Sequence, residues 1–416
     1  MRSNLSVDES RIAEDIDRLA AITEPDRPWT RRAFSPRFLE GRAYLDKRMR
    51  AAGLETRIDA AGNLVGRRRG SGRRPGVLML GSHSDTVPDG GRFDGIAGVV
   101  AALETARALA DKGIALDHDL EVVDFLAEEV SPFGVSCIGS RGMTGQLPAD
   151  WLTRVADDRD LAAAIAAMGG DPGRLAVEAR TDIAAFLELH IEQGPVLERE
   201  KIDIGLVTAI AGITRFEIIV EGRPDHAGTT PMDGRADALV AAAPIVLAVR
   251  RLAAAQAAAG DRHFTATVGE FGIEPDAANV IPSRVRLLID ARCERREDMA
   301  TFAAGLDAAL AEIGGGSDIR IRGPVRVSDN PPTPCDRRLL ESLDTACTHI
   351  GASRRGLASG AGHDAAWIAK VAPSAMIFVP SRGGRSHCPE EWTEIAEIAL
   401  GAAVLFETVL ELDRTI

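Results

Sequence analysis

One histidine and two aspartates lie close together in the segment GSHSDTVPDGGRFDG, residues 81–95. His83 and Asp85 are two positions apart at the end of an apolar run that predicts a strand, so their side chains can point to the same side. A carboxylate commonly holds the second ring nitrogen of a metal-binding imidazole, and this spacing suits such a pair. Asp94 follows on a glycine-flanked loop that can bend back toward His83. A polar surface loop would explain the segment equally well.

Two adjacent carboxylates, Glu128 and Glu129, follow the apolar run that ends at Ala127. Where a strand passes into a loop, neighbouring side chains can diverge, so one glutamate can bind a metal while the other takes a proton from water. Taken alone, a pair of glutamates is more simply interpreted as solvated surface.

Two further histidines lie in polar motifs next to apolar runs. His190 is near the end of FLELHIEQGP, and His387 lies in the glycine-rich loop SRGGRSHCPEEW. Each of them alone is more simply explained as a structural residue than as a ligand.

Four short apolar runs must position these side chains. Each run predicts a buried strand, and helical stretches lie between them, as in an α/β domain; the runs are Gly76–Gly81, Leu120–Ala127, Phe186–Ile191 and Ser374–Pro380. Each delivers a histidine or a carboxylate at or just beyond its carboxyl end, which is where open α/β sheets bind ligands. Three imidazoles and two carboxylates suit two divalent ions that share a bridging carboxylate. The shared location therefore favours a metal site.

A different pattern occupies residues 209–325. Its predicted order of strand, helix, two strands, helix and strand is typical of an α+β module of ferredoxin-like type. Because strands and helices resume after it, we expect this module to be inserted in a discontinuous domain formed by residues 1–208 and 326–416.

Composition excludes several classes of function. The net charge of −13 disfavours nucleic acid or an anionic membrane as a partner, because both require a basic surface. The five cysteines are scattered without a Cys-x-x-Cys pair, which favours a reducing compartment over a disulfide framework. We found no signal-peptide pattern and no apolar run of the roughly 20 residues that span a bilayer. These features predict a cytoplasmic protein.

The motifs, in their order, resemble the M20 metallopeptidase superfamily and, within it, the hydantoinase/carbamoylase amidases. The similar segments, which span roughly residues 81–393, are GSHSDTVPDGGRFDG, AEEVSPFGVSCIGSRGMTG, ELHIEQGPVLE, HAGTTPMDGRAD, AANVIPSRVRLLIDAR, SGAGHDA and FVPSRGGRSHCPEEWT. The combination of HIEQGP with SGAGHDA is selective for the amidase branch over the peptidases. The resemblance implies a mixed-sheet, metallopeptidase-like catalytic domain with an inserted lid and dimerisation domain.

The resemblance also implies a role for each motif residue. Asp94 would bridge two metal ions, with His83 and His190 completing one site and Glu129 and His387 the other. Asp85 would orient His83, and Glu128 would be the general base. The ligand types accept zinc, manganese, cobalt or nickel and do not select among them.

Further residues would contact the substrate. His226, reaching into the site of the partner subunit of a homodimer, would polarise the scissile carbonyl. Asn279 and Arg292 would hold the substrate carboxylate, for which the planar guanidinium fork is suited. The remaining expected contacts are Gln193, Gly360 and Gly362. Without the resemblance, His226 could equally satisfy a loop backbone and Arg292 could be a surface charge.

The implied reaction is hydrolysis of a C–N bond in an N-carbamoyl-L-amino acid or a related ureido acid, releasing ammonia and carbon dioxide. Allantoate or a β-ureido acid as substrate remains open, as does an aminoacylase or peptidase activity of the wider superfamily. A catalytically silent metal-binding protein is a further alternative, although no expected ligand is missing from the chain. Ser84, Cys388 and Trp392 depart from the usual pattern of the family, which leaves the substrate preference undecided.

Several other histidines and one aspartate carry weaker expectations. We expect His363 and Asp364 in SGAGHDA to be structural or to support the ligands. The histidines that match no motif are His118, His263 and His349.

Overall fold

The computed structural model describes residues 5–260, 262–314 and 318–416, which fold into two compact units. Unit 1 comprises residues 1–208, 335–356 and 363–416, and unit 2 comprises residues 209–334 and 357–362. The division of roles between a catalytic domain and a lid remains a proposal.

A mixed sheet forms the centre of unit 1. Its strands run in the order β1, β2, β4, β3, β7, β15, β8. The four central strands β4, β3, β7 and β15 are parallel, whereas β1, β2 and β8 pair antiparallel at the two sides. The strands of this sheet are β1 (Glu55–Ile58), β2 (Leu64–Arg68), β3 (Val77–His83), β4 (Asp119–Phe125), β7 (Ile183–Ile191), β8 (Ile204–Ile210), β14 (Arg354–Ser359), which pairs with β8, and β15 (Ser374–Val379). Two short strands, β5 (Val155–Ala156) and β6 (Arg159–Asp160), pair with each other in a separate small sheet.

Helices cover this sheet and supply its core. They are α1 (Glu9–Ala21), α2 (Pro36–Ala51), α3 (Ile96–Asp111), α4 (Ile138–Met143), α5 (Leu161–Ala167), α6 (Val196–Glu200), α9 (Arg337–Ile350), α10 (Ala365–Ile368) and α11 (Ile395–Thr415). Short 3-10 turns occupy Ala149–Thr153, Pro172–Arg174 and Arg382–Gly384. Helix α3 packs between the sheet and α11, and nearly all of its side chains are buried because alanines and valines fit the close approach. Strand β3 is buried along its full length, as expected for a parallel strand covered on both faces.

Unit 2 is an α+β module. Among its described residues, the antiparallel sheet has the order β10, β11, β9, β12, and this order together with the helix positions is ferredoxin-like. Its elements are β9 (Gly212–Glu221), a 3-10 turn (Met232–Gly234), α7 (Ala238–Ala258), β10 (Phe264–Glu274), β11 (Arg284–Cys293), α8 (Arg296–Ile313), β12 (Arg320–Asn330) and the short β13 (Thr333–Pro334). Burial alternates strictly along β9 and β11, because one face of the sheet packs on the two helices. The expected α/β fold class with an α+β insertion is confirmed.

Helix α7 corrects one expectation from the sequence. Within the described chain it is long and apolar enough, by length and composition, to cross a bilayer, with a mean hydropathy of 1.8. Its residues Ala242, Ile245 and Val249 recur at helical spacing and pack in the core of unit 2, and a third of its most apolar 18-residue stretch is buried (33%). A buried core helix satisfies the same length and composition criterion.

Candidate metal centre

The carboxyl ends of the four parallel strands gather the predicted ligands in unit 1. His83 is the last residue of β3, and His190 is the penultimate residue of β7. Glu128 and Glu129 follow β4, and His387 follows β15 on an irregular loop. Parallel strands end at the same edge of a sheet, so residues that are up to 304 positions apart in the chain meet there.

Asp94 lies at the centre of this group, with each carboxylate oxygen directed to a different set of neighbours. Its Oδ1 is 3.1 Å from Nε2 of His190 and 3.9 Å from Nε2 of His83. Its Oδ2 is 3.0 Å from Nε2 of His387, and that nitrogen is 3.2 Å from Oε1 of Glu129. Two triads of potential ligand atoms therefore share Asp94, and within each triad the atoms lie within 4.8 Å of one another.

Asp85 connects the imidazole of His83 to the backbone of the glutamate pair. One carboxylate oxygen lies 3.4 Å from Nδ1 of His83 and accepts a hydrogen bond from the N–H of Glu128 at 3.3 Å. The other accepts from the N–H of Glu129 at 3.2 Å. Asp85 is buried, so these contacts fix the ring of His83 relative to both glutamates.

Glycine at position 95 permits the close approach of the Asp94 loop to His83. Gly95 has a φ of +66°, and a Cβ added there would overlap the His83 ring. Replacing Gly95 with Ala should therefore cost about 1–2 kcal/mol in backbone strain and, in addition, displace the imidazole. We expect lower metal affinity and lower activity, measured by metal titration and turnover.

The control for this substitution is Gly113→Ala. Gly113 has a similar φ of +62° but no neighbouring atom within 4 Å of an added Cβ. It shares the backbone strain without the clash, so it should lower the melting temperature and leave metal affinity unchanged. Equal metal affinity in both variants would contradict the role of the close approach.

The buried site strongly perturbs the titration of its acids. Burial raises the pKa of Glu128 well above its ordinary value, and burial also raises the pKa of Glu129. Burial alone would raise the pKa of Asp94 as well, but its contacts with His190 and His387 lower it well below the usual range. Glu128, with its raised pKa, has the property of a group that accepts a proton during a reaction. Asp94, with its lowered pKa, stays ionised as a metal ligand must.

The pKa values of two imidazoles in the site are raised, in contrast to that of Asp94. Hydrogen bonds to Asp94 and then Glu129 raise the pKa of His387 to about 11. Burial would lower the pKa of His83, but the charges of Glu128 and its other acidic neighbours raise it well above its usual value. When no cation is bound, the protonated rings of His83 and His387 are therefore attracted to the neighbouring carboxylates.

Metal binding is accordingly expected to release protons. A metal ion needs neutral imidazole, and His83 and His387 with raised pKa values must each lose a proton to provide it. Affinity should therefore fall steadily as the pH is lowered below about 11, the raised pKa of His387, so the fall should already be measurable near neutral pH. Calorimetry in buffers of different ionisation enthalpy should show buffer-dependent heats with the sign of proton release, and buffer-independent heats would contradict this expectation.

The donor set fits divalent transition metals. The Nε2 atom of His190 is buried and has no hydrogen-bond partner of suitable geometry among the described residues, as expected of a nitrogen directed at a cation. Its Nδ1 lies 3.0 Å from the carbonyl oxygen of Ile191, which fixes the tautomer that leaves Nε2 free to bind. Imidazoles with carboxylates accept zinc, manganese, cobalt or nickel.

Two neighbouring residues were not singled out from the sequence. Ser386 and Glu391 lie on the His387 loop, and Glu391 is buried with hydrogen bonds to the Asp94 loop. Gln193, expected to touch the substrate, donates to Oδ2 of Asp94 at 3.1 Å and to the Ser386 hydroxyl at 3.0 Å. For Glu391, the only indication in the sequence was the Glu-Glu pair in HCPEEW, and such a pair is also typical of the solvated surface.

His363 and Asp364 are buried in unit 1, and His363 contacts the predicted ligand His190. The ring of His363 packs edge-on against that of His190, with 4.5 Å between centroids. Burial lowers the pKa of His363 well below its usual value, so the ring is neutral. Asp364 accepts a hydrogen bond from Ser140 at 2.5 Å.

Unit 2 holds the other predicted substrate contacts. His226 is exposed, and its Nδ1 accepts hydrogen bonds from the N–H groups of Gly228 at 3.0 Å and Thr229 at 3.2 Å. The backbone carbonyl oxygen of Asn279 accepts a hydrogen bond from the N–H of Ala227, the residue that follows His226. His226 and Asn279 therefore lie together on one surface of the module.

The guanidinium of Arg292 lies beside the loop that carries Gly360 and Gly362. Its Nε donates to Asp290 at 2.8 Å and its Nη1 to the carbonyl oxygen of Gly360 at 2.8 Å. A Cβ added to Gly360 would meet the ring of His263, whereas Gly362 is open. His263, which matched no motif, is thus a neighbour of this loop.

Comparison with known proteins places the chain in a family. The sequence profile of Peptidase family M20/M25/M40 matches residues 79–411. The chain is 37% identical over 409 residues to an N-carbamoyl-L-amino-acid amidohydrolase of Paenarthrobacter aurescens, covering 97% of this chain and 98% of that protein. It is 36% identical over 416 residues to an allantoate amidohydrolase of Bacillus subtilis, covering 99% of each.

A solved structure shows the same fold. A hydantoinase/carbamoylase family amidase from Burkholderia ambifaria is similar at a TM-score of 0.88 and 34% identity, covering 98% of both chains. The profile match covers most of the chain, and the relatives are amidohydrolases, which act on C–N bonds. The chain belongs to the M20/M25/M40 peptidase family and, within it, to the hydantoinase/carbamoylase amidases, a group of metal-dependent hydrolases.

Proposed function

We propose that this amidohydrolase uses two divalent metal ions per subunit to hydrolyse N-carbamoyl-L-amino acids. The observation that carries the proposal is the arrangement around Asp94, whose two oxygens face separate histidines. One ion would be held by His83, Asp94 and His190, and the other by Asp94, Glu129 and His387. A single carboxylate shared in this way is typical of binuclear hydrolytic sites.

The side chains of the protein supply positioning and proton transfer in this proposal. The metal ions, when bound, polarise water and the scissile carbonyl. Glu128, whose Oε2 lies 3.7 Å from Nε2 of His83, takes the proton of the attacking water and delivers it to the leaving nitrogen. With one water consumed, the carbamoyl group leaves as ammonia and carbon dioxide and the amino acid is released.

His226 is suited to stabilise the negative charge that develops on the carbonyl oxygen. Because its Nδ1 accepts two backbone N–H bonds, that nitrogen carries no proton, and the proton of the neutral ring resides on Nε2. Nε2 is then a hydrogen-bond donor of the kind that stabilises an oxyanion.

Arg292 is the proposed partner of the substrate carboxylate. Asp290 and the Gly360 carbonyl hold its guanidinium in place, which reduces the conformational entropy lost on binding. An arginine held in this way favours an anionic substrate, and both relatives named above act on such ureido acids by the names they carry. Asn279, Gln193 and Gly362 complete the proposed contacts.

Allantoate is the second candidate substrate, because the similarity to the allantoate amidohydrolase is almost as high as that to the carbamoylase. A panel tests the choice: N-carbamoyl-L- and D-amino acids, allantoate, a β-ureido acid and N-acetyl amino acids, each with metal-reconstituted enzyme. We expect ammonia release with L-carbamoyl substrates in preference to the others. Turnover of N-acetyl amino acids without ammonia release would overturn the proposal in favour of an aminoacylase.

We further propose a homodimer in which His226 acts in the site of the partner subunit. Helix α7 exposes apolar side chains, among them Val240 (68% exposed) and Leu247 (66%), which suit burial against a second copy.

We also propose a cytoplasmic location, because the five cysteines are free thiols, as is usual in a reducing compartment.

Mixing two inactive variants tests the shared site. Glu128→Gln subunits lack the base and His226→Ala subunits lack the donor, so each homodimer should be inactive. In a mixed dimer one site combines an intact Glu128 with the partner's His226. Equal co-expression should thus restore about a quarter of wild-type activity, because half of the dimers are mixed and each has one working site. No recovery in a verified mixed dimer would place His226 in the site of its own subunit.

A further inference from the structure

The buried carboxylate of Glu391 joins the two loops that carry Asp94 and His387. Its Oε1 accepts hydrogen bonds from the backbone N–H groups of Phe93 at 2.9 Å and of Asp94 at 3.0 Å. Its Oε2 accepts from the hydroxyl of Ser386 at 2.7 Å. Glu391 is only 1% exposed, so these bonds do not compete with water.

A second path connects the same two loops. The side-chain amide of Gln193 donates both to Oδ2 of Asp94 and to the Ser386 hydroxyl, the latter at 3.0 Å. Ser386, which directly precedes His387, is thus tied to Glu391 on one side and to Gln193 on the other. The network fixes the position of His387 relative to Asp94 through side chains that belong to neither triad of potential ligands.

His387 needs such support more than the other histidines do. His83 and His190 belong to central strands and are buried, whereas His387 lies on an irregular loop with a φ of +54° and a half-exposed side chain. A positive φ in a histidine persists only where the surrounding structure enforces it. The hydrogen bond that the Ser386 hydroxyl donates to Glu391 holds the residue directly before His387 and so contributes to that constraint.

The glycine at position 91 allows the Asp94 loop to lie close to the carboxylate of Glu391. A Cβ added at Gly91 would overlap the carboxylate of Glu391. The Asp94 loop can therefore approach this carboxylate only because a glycine occupies position 91. The close approach is consistent with a fixed geometry between the two loops.

We propose that Glu391 is a positioning residue for the second metal position, formed by Asp94, Glu129 and His387, an inference that rests on the proposed binuclear function. Glu391 contacts no potential ligand atom directly; it acts through the backbone of Asp94 and through Ser386. Loss of Glu391 should lower the metal affinity of this second position. The position formed by His83, Asp94 and His190 should keep nearly its full affinity, because its two histidines are held by strands.

Calorimetric titration of metal-free protein with Mn²⁺ alone tests this inference. Wild-type protein is expected to show two binding events. In Glu391→Ala the weaker event should lose about 100-fold in affinity. In Glu391→Gln it should lose only about 10-fold, because the amide keeps a side-chain oxygen that can accept the backbone N–H bonds of Phe93 and Asp94. The control is Glu390→Ala, since this adjacent glutamate is exposed and pairs with Arg385. It should titrate like the wild type.

The outcomes separate the inference from the proposed function. A weaker second event with an unchanged first event supports the role of Glu391, because a general loss of stability would weaken both. Unchanged titration of a folded Glu391→Ala protein would overturn it. If that variant does not fold, Ser386→Ala decides, with a loss of about 10-fold expected and no loss overturning the role. A single event in the wild type would contradict the binuclear proposal, and the role of Glu391 would then survive only if Glu391→Ala weakens that event.

Discussion

Glu128→Gln is expected to lower kcat by about 10³-fold or more while both metal ions remain bound. Glutamine has nearly the shape of glutamate but cannot accept the proton of the attacking water. The Glu128 carboxylate is buried, with Oε1 3.5 Å from the Cys137 thiol, so a residue of the same size should leave the pocket intact. The measurements are steady-state turnover and metal content of the purified protein.

The control for this experiment is Glu129→Gln, which changes the neighbouring carboxylate. Glu129 lies 3.2 Å from His387, so its substitution should reduce metal content at one position as well as activity. Glu128→Gln with full metal and no activity, beside Glu129→Gln with reduced metal, is the expected pair of results. Near-normal turnover of Glu128→Gln would remove Glu128 from the proposed role.

Asp94→Asn is expected to abolish metal binding at both positions and to lose activity entirely. Each carboxylate oxygen faces a different histidine at 3.0–3.1 Å, and an amide offers one neutral oxygen and one NH₂ group in their place. One triad loses its anionic donor and the other meets an N–H donor, so neither can hold an ion. Metal analysis after dialysis and turnover with added metal measure the effect.

The matched control is Asp89→Asn on the same loop. Asp89 is exposed and pairs with Arg27 at the surface, an interaction that contributes little to stability because solvent screens it. It should keep both metal ions and normal activity. An Asp94→Asn protein that still binds two ions would show that Asp94 is not the shared ligand.

The sequence predicted the central strands well, because parallel strands buried on both faces are continuous apolar runs. Strand β15 was expected at Ser374–Pro380 and is found at Ser374–Val379. Strand β7 begins three residues earlier than expected, at Ile183 rather than Phe186. The gathering of the histidines followed from strand polarity alone.

The interactions between loops could not be predicted in the same way. Glu391 and Asp94 are almost 300 residues apart, and nothing in HCPEEW distinguishes the buried glutamate from exposed Glu390. Gln193, which stays a proposed substrate contact, also bonds to Asp94 and Ser386, and nothing in the sequence indicated these two bonds. Such contacts depend on loop conformations, including the positive φ of His387, that no sequence periodicity specifies.

Helix α7 illustrates the opposite difficulty. Its composition suits a membrane span, and only the packing of its inward face in unit 2 identifies it as a core helix. Patterns of hydrophobicity describe which surfaces are apolar, but not what covers them.

Anomalous diffraction from crystals grown with Mn²⁺ or Zn²⁺ tests the central claim most directly. The binuclear proposal predicts two peaks, one within coordinating distance of His83, Asp94 and His190 and the other within coordinating distance of Asp94, Glu129 and His387. A single peak, or two peaks that do not share Asp94, would contradict it.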